Sequence, residues 1–324
     1  MIRRPFIVLA MAAAVLAVPL AHAQGSAWPA KPIRFIVPFT AGSATDIIAR
    51  AVGESIAKSV GQPVVVENKP GAGGTIAAAQ VARSEPDGTT VLIHSSGHAL
   101  NPAIYTNLSY DTVKDLVGIT PLASLPNVMI VPPGRGWKTA ADVVAAAKAK
   151  PGQLNYASAG VGSATHLNAE KFRLQAGFDA AHVPFKGTPE AISEVIGGRI
   201  DWFFAPLISA LPLVRDGKVQ ALAVSTPVRA VTLPNVPTTV EAGVPGSDFI
   251  FWVGMIAPAG TPAAVQARLH DEAVKALNST EVKERLAKIG ADPYPMSIAD
   301  FNAFIKTEMD SALRIARAAN LKAQ

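Results

Sequence analysis

The sequence predicts an α/β fold with two domains, and three observations carry this prediction. From residue 33 onward, short apolar runs typical of β-strands alternate with segments typical of helices, an order that favours a parallel sheet. The chain has 324 residues, which is enough for two domains of common size. The tetrapeptide Gly-Ser-Ala-Thr at residues 42–45 recurs at residues 162–165, so the two halves contain similar loops.

The first strand, loop and helix are predicted within residues 33–51. Residues 33–37 form an apolar run that Pro38 ends. Ser43 and Asp46 stand three residues apart before apolar residues at helical spacing, which is typical of a capping box. The start of such a helix presents free N–H groups and the positive end of the macrodipole, and both favour a carboxylate or phosphate. Alone, this segment is better explained as a plain βα turn, but its repetition favours two helix starts around an anion-binding cleft.

Further elements follow in the same alternating order. In the first half they are a strand at 63–67, a helix at 75–83 and strands at 89–94, 117–123 and 128–131. In the second half they are helices at 139–150, from 164 and at 189–196, with strands at 154–157, 181–184, 200–204 and 220–225. A proline-containing connector at 226–248 leads to a strand at 251–257 and helices near 262–277, 280–289 and 298–319. Because ligands bind beyond the carboxyl ends of parallel strands, residues 40–43 and 95–98 are expected on one rim.

Composition and charge narrow the function classes. Hydrophobic residues make up 49% of the chain and charged residues 16%, which is typical of a globular protein. Arg3 and Arg4 belong to a predicted signal peptide, and without them the chain has 27 basic and 24 acidic residues, a net charge of +3. This excess of positive charge is too small and too scattered to favour binding of nucleic acid. The absence of cysteine excludes disulfides, thiol chemistry and a lipid anchor on cysteine.

Residues 1–23 are predicted to be a secretory signal peptide. Arg3 and Arg4 give a charged start, residues 6–18 an apolar core, and an Ala-His-Ala tripeptide ending at Ala23 a cleavage site. The apolar core is too short to span a membrane. We therefore expect cleavage after Ala23 and export, to the periplasm in a cell with two membranes.

Several residues allow a functional and a structural interpretation. Asp46 either holds its loop around a ligand or only caps its helix. His98 and His166 either donate to a carboxylate or are structural, and His166 has the stronger case because it lies in the first turn of the second helix. Trp202 either lines the cleft or belongs to the core, and Lys186 either neutralises a ligand or is solvated.

Motifs for other functions are missing. The glycine-rich segment 68–74 lacks the phosphate-loop and dinucleotide patterns. It is either backbone that passes close to another group or a turn, and the turn is favoured. Neither the G-x-S-x-G pattern of many serine hydrolases nor the H-E-x-x-H pattern of zinc proteases occurs. His94 and His98 straddle a strand end, so a zinc site is not expected. The sequence also lacks the exposed apolar or basic stripe expected of a scaffold for macromolecules.

Seven segments, taken in order, match the motifs of a known family. They are WPAKPIRFIVPFTAGSATDIIAR, VVVENKPGAGG, YASAGVGSATHL, HVPFKGTPEA, GRIDWFF, ALAVSTPVRAVTLPNVPTTVEAGVPG and APAGTP. With this set the chain resembles the substrate-binding receptors of tripartite tricarboxylate transporters, also called Bug receptors. The resemblance covers essentially all of the predicted mature chain, and the ordered set is specific although no single segment is decisive.

This resemblance implies a periplasmic binding protein type II clamshell, in which two α/β domains are joined by two crossing strands and close on a ligand. Domain 1 is expected to comprise residues 24–124 and 228–324, and domain 2 residues 125–227. The implied function is a solute-binding receptor, not an enzyme, that captures a small carboxylate and delivers it to the membrane subunits of a tripartite tricarboxylate transporter. We expect a monomer with no cofactor, no metal and no nucleic-acid partner.

The resemblance also implies a binding site on the loops at residues 40–46 and 158–166, whose N–H groups and hydroxyls would hold a carboxylate. The second polar end of the ligand is expected at Ser95, Ser96 and His98. The complete set of predicted ligand-binding residues is Phe39, Thr40, Ala41, Gly42, Ser43, Asp46, Ser95, Ser96, His98, Ser158, Gly160, Gly162, Ser163, His166 and Ala205.

The chain departs from the family pattern at two positions. Ser43 replaces the usual second glycine of the first loop, where it either adds a hydroxyl donor or only caps the helix. Ala205 stands where members that bind amino acids tend to carry aspartate. Because alanine cannot pair with a substrate ammonium, we expect a di- or tricarboxylate or an aromatic acid without an amine.

Overall fold

The computed structural model describes residues 28–321. The predicted signal peptide, residues 1–23, lies outside the described residues. The strands are β1 (Ile33–Val37), β2 (Val64–Asn68), β3 (Thr90–Ser95), β4 (Leu116–Leu125), β5 (Asn127–Val131), β6 (Asn155–Ser158), β7 (Ala181–Pro184), β8 (Phe203–Pro206), β9 (Gln220–Val224), β10 (Phe251–Pro258) and β11 (Asp292–Pro293). The helices are α1 (Ala44–Val60), α2 (Thr75–Ala82), α3 (Gly97–Ile104), α4 (Ala140–Ala149), α5 (Ala164–Ala176), α6 (Thr188–Ile196), α7 (Leu207–Arg215), α8 (Ala263–Asn278), α9 (Thr280–Lys288) and α10 (Ile298–Ala318). Within this range, no helix combines the length and the apolar character that a membrane crossing requires.

Domain 1 is built on a six-stranded sheet with the strand order β11-β4-β10-β3-β1-β2. Strand β1 runs parallel to β2 and β3, as the sequence predicts. Strand β10 is antiparallel to β3 and β4, so the sheet is mixed and the prediction of a parallel sheet is wrong for its other half. The reason is that an apolar run indicates burial of a strand on both faces but not the direction of the strand.

Domain 2 contains a three-stranded antiparallel sheet, β8-β5-β9, and a parallel pair, β6-β7. A single bridge between Tyr156 and Trp202 joins β6 to the segment before β8. The chain enters domain 2 between β4 and β5, where only Pro126 separates the two strands, and returns between β9 and β10. The domain boundaries at residues 124–125 and 227–228 stay a prediction.

Helices and connecting segments cover both faces of the six-stranded sheet. One face packs with α1, α8 and α9 in a single apolar cluster that includes Phe35 and Val253. On the other face, α2 and α10 pack around Trp252 and Phe301, whose ring centroids lie 5.4 Å apart. The three-stranded sheet of domain 2 likewise has an apolar cluster on each face. With the faces covered, the loops at the strand ends are the parts of the sheets that remain accessible to a solute.

Three details differ from the sequence prediction. Helix α3 begins one residue after β3, and α7 follows β8 directly. The sequence pattern predicts neither helix, and each contains an internal proline, Pro102 in α3 and Pro212 in α7. An internal proline argues against a helix, and a largely buried helix lacks the polar face that makes its period visible. The strand predicted at 200–204 lies at Phe203–Pro206, because Asp201 exchanges hydrogen bonds with Asn155 instead of extending the strand.

Candidate ligand-binding site

Loop L1 (residues 38–43) connects β1 to α1 and is shaped by its glycine and its cap. Gly42 has a φ of 80°, a value that suits glycine, and Ser43 is extended with φ −68° and ψ 159°. The Ser43 hydroxyl accepts from the N–H of Asp46 at 3.4 Å, so the predicted cap is present. The chain therefore leaves β1, which lies between β3 and the edge strand β2, and enters α1 within a few residues.

Asp46 holds L1 from inside the domain. Its carboxylate accepts from the Gly42 N–H and the Asn68 amide, both at 3.0 Å, and pairs with Arg50 at 2.9 Å. Burial alone would raise the pKa of Asp46, but the bonds from Arg50, Gly42 and Asn68 outweigh it and lower the pKa. The ionised side chain is thus satisfied within domain 1, and it positions the loop.

Loop L2 (residues 159–163) connects β6 to α5 and repeats the construction of L1. Ser163 has φ −76° and ψ 160°, and its hydroxyl accepts from the N–H of His166 at 3.3 Å. Gly162 has a φ of 76°, close to that of Gly42. In addition, the Ala159 N–H donates to the Thr165 hydroxyl at 2.9 Å. The repeated tetrapeptide therefore folds twice into the same capped helix start.

The starts of α1 and α5 line one cavity between the two domains. Its lining consists of Phe39, Ser43, Ala44, Thr45, Ser95, Ala159, Ser163, Ala164, Thr165, Thr188 and Phe251. Its volume is about 10 Å³, which corresponds to about one water molecule. A carboxylic acid of several carbons therefore does not fit within this cavity alone.

Four amide groups at the helix starts are available to a ligand. The first N–H groups of a helix have no intrahelical acceptor, and the serine caps satisfy only the third one in each helix. Among the residues that the structure describes, the amides of these two starts left without an acceptor are those of Ala44, Thr45, Ala164 and Thr165. Free N–H groups at the positive ends of two helices favour a carboxylate between them.

Ser95, the last residue of β3, adds a hydroxyl to the lining. The side chain is buried, and its Oγ has no hydrogen-bond partner within residues 28–321. An unsatisfied buried hydroxyl costs about 1–3 kcal/mol. A ligand oxygen at the cavity would remove this cost, so Ser95 is a second, independent indication of a polar ligand here.

Direct contacts between the domains surround the cavity. The first residue of α3, Gly97, packs so closely on L2 that an added Cβ would lie 2.9 Å from the Ala164 nitrogen and 3.0 Å from the Gly162 oxygen. The Tyr105 hydroxyl donates to the Val161 carbonyl at 2.9 Å. The Thr40 hydroxyl of L1 donates to Glu190 of α6 at 3.0 Å. Contacts from α3, from Tyr105 and from L1 therefore join the two domains near the helix starts.

The predicted site residues fall into three groups. Those that line the cavity are Phe39, Ser43, Ser95 and Ser163. Those that form or hold the two loops without lining the cavity are Thr40, Ala41, Gly42, Asp46, Ser158, Gly160, Gly162 and His166. Those buried outside the lining are Ser96, His98 and Ala205. Ala205 lies within β8, opposite Val128 in an apolar cluster, so its side chain is part of the core of domain 2.

Five residues of the lining lie within the predicted loops 40–46 and 158–166 without having been singled out individually, and two were not predicted. The five are Ala44, Thr45, Ala159, Ala164 and Thr165, and the two are Thr188 and Phe251. The helix-start residues of the lining offer backbone N–H groups, which can accompany any side chain except that of proline. The signal that could have found them is the cap itself, because the free amides of a serine-capped helix are those one and two residues after the serine.

Comparison with known proteins identifies the family. The family model described as the tripartite tricarboxylate transporter family receptor matches residues 48–321. The chain belongs to this family. It is a family of solute-binding receptors, not of enzymes, and the resemblance seen in the sequence is confirmed.

Three solved structures show the fold that this receptor family shares with the chain. The periplasmic binding protein BugD is 30% identical, with a TM-score of 0.87 over 92% of this chain and 100% of BugD. The Rhodopseudomonas palustris protein Rpa4515, solved with adipate, is 30% identical with a TM-score of 0.88 over 92% of this chain and 100% of that one. MatC from the same organism, solved with malate, is 31% identical with a TM-score of 0.85 over 89% and 99% of the two chains. The predicted clamshell fold class is therefore confirmed.

The buried histidines of this receptor make its stability pH-dependent. Burial lowers the pKa of His98 and of His166 to about 4, below the value of about 6.5 in an unfolded chain. Their contribution to stability is therefore present above pH 6.5 and lost as the pH falls toward 4, because the unfolded chain takes up protons first.

At pH 5 we expect each of these two histidines to lower the free energy of unfolding by up to about 2 kcal/mol. Urea unfolding at about pH 7.5 and 5 should show a smaller loss for His98→Gln than for the wild type; equal losses would contradict the assignment.

Proposed function

We propose that the protein is an exported, monomeric, periplasmic receptor that captures a small carboxylate between its domains and delivers it to the membrane subunits of a tripartite tricarboxylate transporter. The observation that carries the proposal is the pair of serine-capped helix starts, one in each domain, whose four free N–H groups line one cavity. Charge-assisted hydrogen bonds from such groups to a carboxylate are about twice as strong as neutral ones. One carboxylate of the ligand is bound there, with the Ser95 hydroxyl beside it.

The ligand is an acid without an amine. The lining of the cavity between the helix starts contains no acidic side chain among the described residues, so an ammonium group would be buried without a partner. This argument replaces the one from Ala205, whose side chain lies in the core of domain 2. Two receptors of the same fold were solved with adipate and with malate, and both of these are dicarboxylates without an amine.

A second cavity provides room for the remainder of the ligand. Its volume is about 250 Å³, and it shares Phe39 and Ala159 with the first. Lys186 contributes a positive charge to its lining, and L2 contributes Gly160. A dicarboxylate whose first carboxylate lies at the helix starts, beside Ser95, would therefore meet the cationic group of Lys186 at its other end.

Domain closure completes the site. In the open form the four N–H groups are solvated and divided between two domains. Closure removes water, which strengthens each hydrogen bond to the anion, and brings Gly97 onto L2. We expect affinity in the micromolar range, about −8 kcal/mol. The closed form is then the one that the membrane subunits recognise.

A thermal-shift screen of the protein from Gln24 onward tests this function. The panel comprises adipate, malate, citrate, benzoate, aspartate and glutamate. A ligand at about 100 times its Kd stabilises the folded state by about 2.7 kcal/mol, which shifts Tm by several degrees. We expect shifts with amine-free acids only. Shifts with aspartate or glutamate alone would contradict the argument from the cavity lining, and no shift with any carboxylate would contradict the proposed ligand class.

A further inference from the structure

Domain 2 contains a column of four stacked rings that ends at L2. The rings belong, in order, to Trp202, Tyr156, His182 and His166. Successive ring centroids are 4.8, 5.0 and 4.0 Å apart, and the interplanar angles are 26°, 19° and 12°. In the backbone pairing, Trp202 lies opposite Tyr156, and Tyr156 lies opposite His182. Because neighbouring strands are about 4.8 Å apart, these three rings stack at the spacing of the strands.

The last two rings bind L2 directly. His182 Nε2 lies 2.6 Å from the Ser158 hydroxyl oxygen, which also accepts from the Gly160 N–H at 3.0 Å. His166 Nδ1 accepts from the Gly162 N–H at 3.3 Å. Neither histidine lines the cavity between the helix starts. Their ring nitrogens therefore act on the loop, and the loop in turn presents the start of α5.

The opposite end of the column is fixed in the domain. Trp202 and Tyr156 are fully buried, and the Tyr156 hydroxyl donates to Glu170, which pairs with Arg173 at 2.8 Å. Glu170, Arg173, His166 and His182 all line a third cavity of about 480 Å³, to which Ala319 and Leu321 at the end of α10 also contribute. Stacking on Tyr156 and the contact with Ser158 hold the ring of His182 beside L2.

The histidines bind the loop as neutral rings at neutral pH. Burial, together with the proximity of His166, lowers the pKa of His182 to about 3. Burial also lowers the pKa of His166 to about 4. A neutral imidazole has one nitrogen that can accept a hydrogen bond, whereas a protonated one has none. The bond from the Gly162 N–H to His166 Nδ1 therefore requires a neutral His166.

We propose that His182 is a positioning residue of the binding site, which holds L2 through Ser158 in the conformation that aims the N–H groups of Ala164 and Thr165 at the ligand. This inference rests on the proposed function for its effect on binding. The sequence predicts a direct contact between Ser158 and the ligand, whereas this proposal gives Ser158 an indirect role. The reason is that the Ser158 hydroxyl is already engaged with His182 and Gly160.

The test compares two replacements of His182 that separate its hydrogen bond from its ring. His182→Gln keeps a nitrogen near the position of Nε2, whereas His182→Phe keeps the stacked ring and removes the bond to Ser158. With adipate and malate as probes, we expect His182→Phe to weaken binding about 10-fold and His182→Gln to stay within about 3-fold of the wild type. In ligand-free protein, hydrogen exchange of L2 should accelerate in His182→Phe and not in His182→Gln.

A double-mutant cycle tests the route through Ser158. If His182 acts through that hydroxyl, His182→Phe should have no further effect in the Ser158→Ala background. Additive effects, or equal behaviour of the phenylalanine and glutamine variants, would overturn the proposal. If the wild type binds neither probe, the dicarboxylate function fails, and hydrogen exchange of L2 in the ligand-free variants still decides the role of His182.

Discussion

Replacing Ala164 with proline is expected to lower the affinity for a carboxylate about 100-fold while the free energy of unfolding changes by less than about 1 kcal/mol. Ala164 is the first residue of α5, and its N–H group is one of the four free amides at the cavity. Proline has no N–H, so the variant loses one hydrogen bond to a charged group, which is worth about 1.5–3 kcal/mol. The ring also places Cδ where the ligand oxygen would lie.

The helix itself should tolerate this substitution. Proline is favoured at the first position of a helix, where the N–H has no helical acceptor. The residue before proline must be extended, and Ser163 is extended already, with φ −76° and ψ 160°. The equivalent change in domain 1, Ala44→Pro, follows Ser43 with φ −68° and ψ 159° and should have the same effect.

A matched control is available at the start of α9. Thr280 is an exposed first residue that follows the capping serine Ser279, with φ −67° and ψ 144°, and it lies outside the cavity lining. Isothermal titration calorimetry and urea unfolding of Ala164→Pro, Ala44→Pro and Thr280→Pro separate binding from stability. Wild-type affinity in both alanine-to-proline variants would show that the helix-start amides do not hold the ligand.

Replacing Gly97 with valine is expected to lower affinity by a similar factor, about 100-fold, through a different mechanism. A Cβ at Gly97 would lie 2.9 Å from the nitrogen of Ala164 and 3.0 Å from the oxygen of Gly162, and backbone atoms of L2 cannot rotate away. The domains would have to stay apart by several tenths of an ångström, which stretches every hydrogen bond between the helix starts and the ligand. Gly97→Ala should have a smaller effect in the same direction.

The fold should not suffer, because the φ of Gly97 lies outside the left-handed region that favours glycine. Alanine is also a better helix former than glycine, by about 1 kcal/mol in a helix interior. We therefore expect Gly97→Ala to raise or leave unchanged the Tm of the ligand-free protein and yet to bind the ligand more weakly.

Gly197→Val, at an exposed helix end near Arg199, is the control. Isothermal titration calorimetry should show reduced affinity in the Gly97 variants and wild-type affinity in the control; normal affinity in Gly97→Val would contradict this role.

The sequence predicts the fold well where local chemistry determines it. Ser43 and Ser163 are recognisable caps because a serine directly before a helical period is typical of an N-cap, and both helices begin where expected. Strand β1 is likewise marked by its own residues. The direction of β10 is not, since it depends on pairing with β3 and β4, which are distant in the chain.

The site is predicted less completely, because the groups that form it are not visible as side-chain types. Ala44 and Ala164 contribute amides, and Gly97 contributes the absence of a side chain. Asp46, Ser158 and His166 have the polar chemistry expected of ligand contacts, but the structure uses them to hold loops. The sequence does not distinguish these two uses, because the same polar residue at a helix start can bind either the loop or a ligand.

The division of the four amides between two domains also has a kinetic consequence. Ala44 and Thr45 belong to one domain and Ala164 and Thr165 to the other, so a bound acid is enclosed on both sides and cannot leave before the domains separate. The opening motion then sets an upper limit to the dissociation rate constant, whichever acid is bound. Acids of different affinity would therefore differ mainly in how far they shift the balance between open and closed forms.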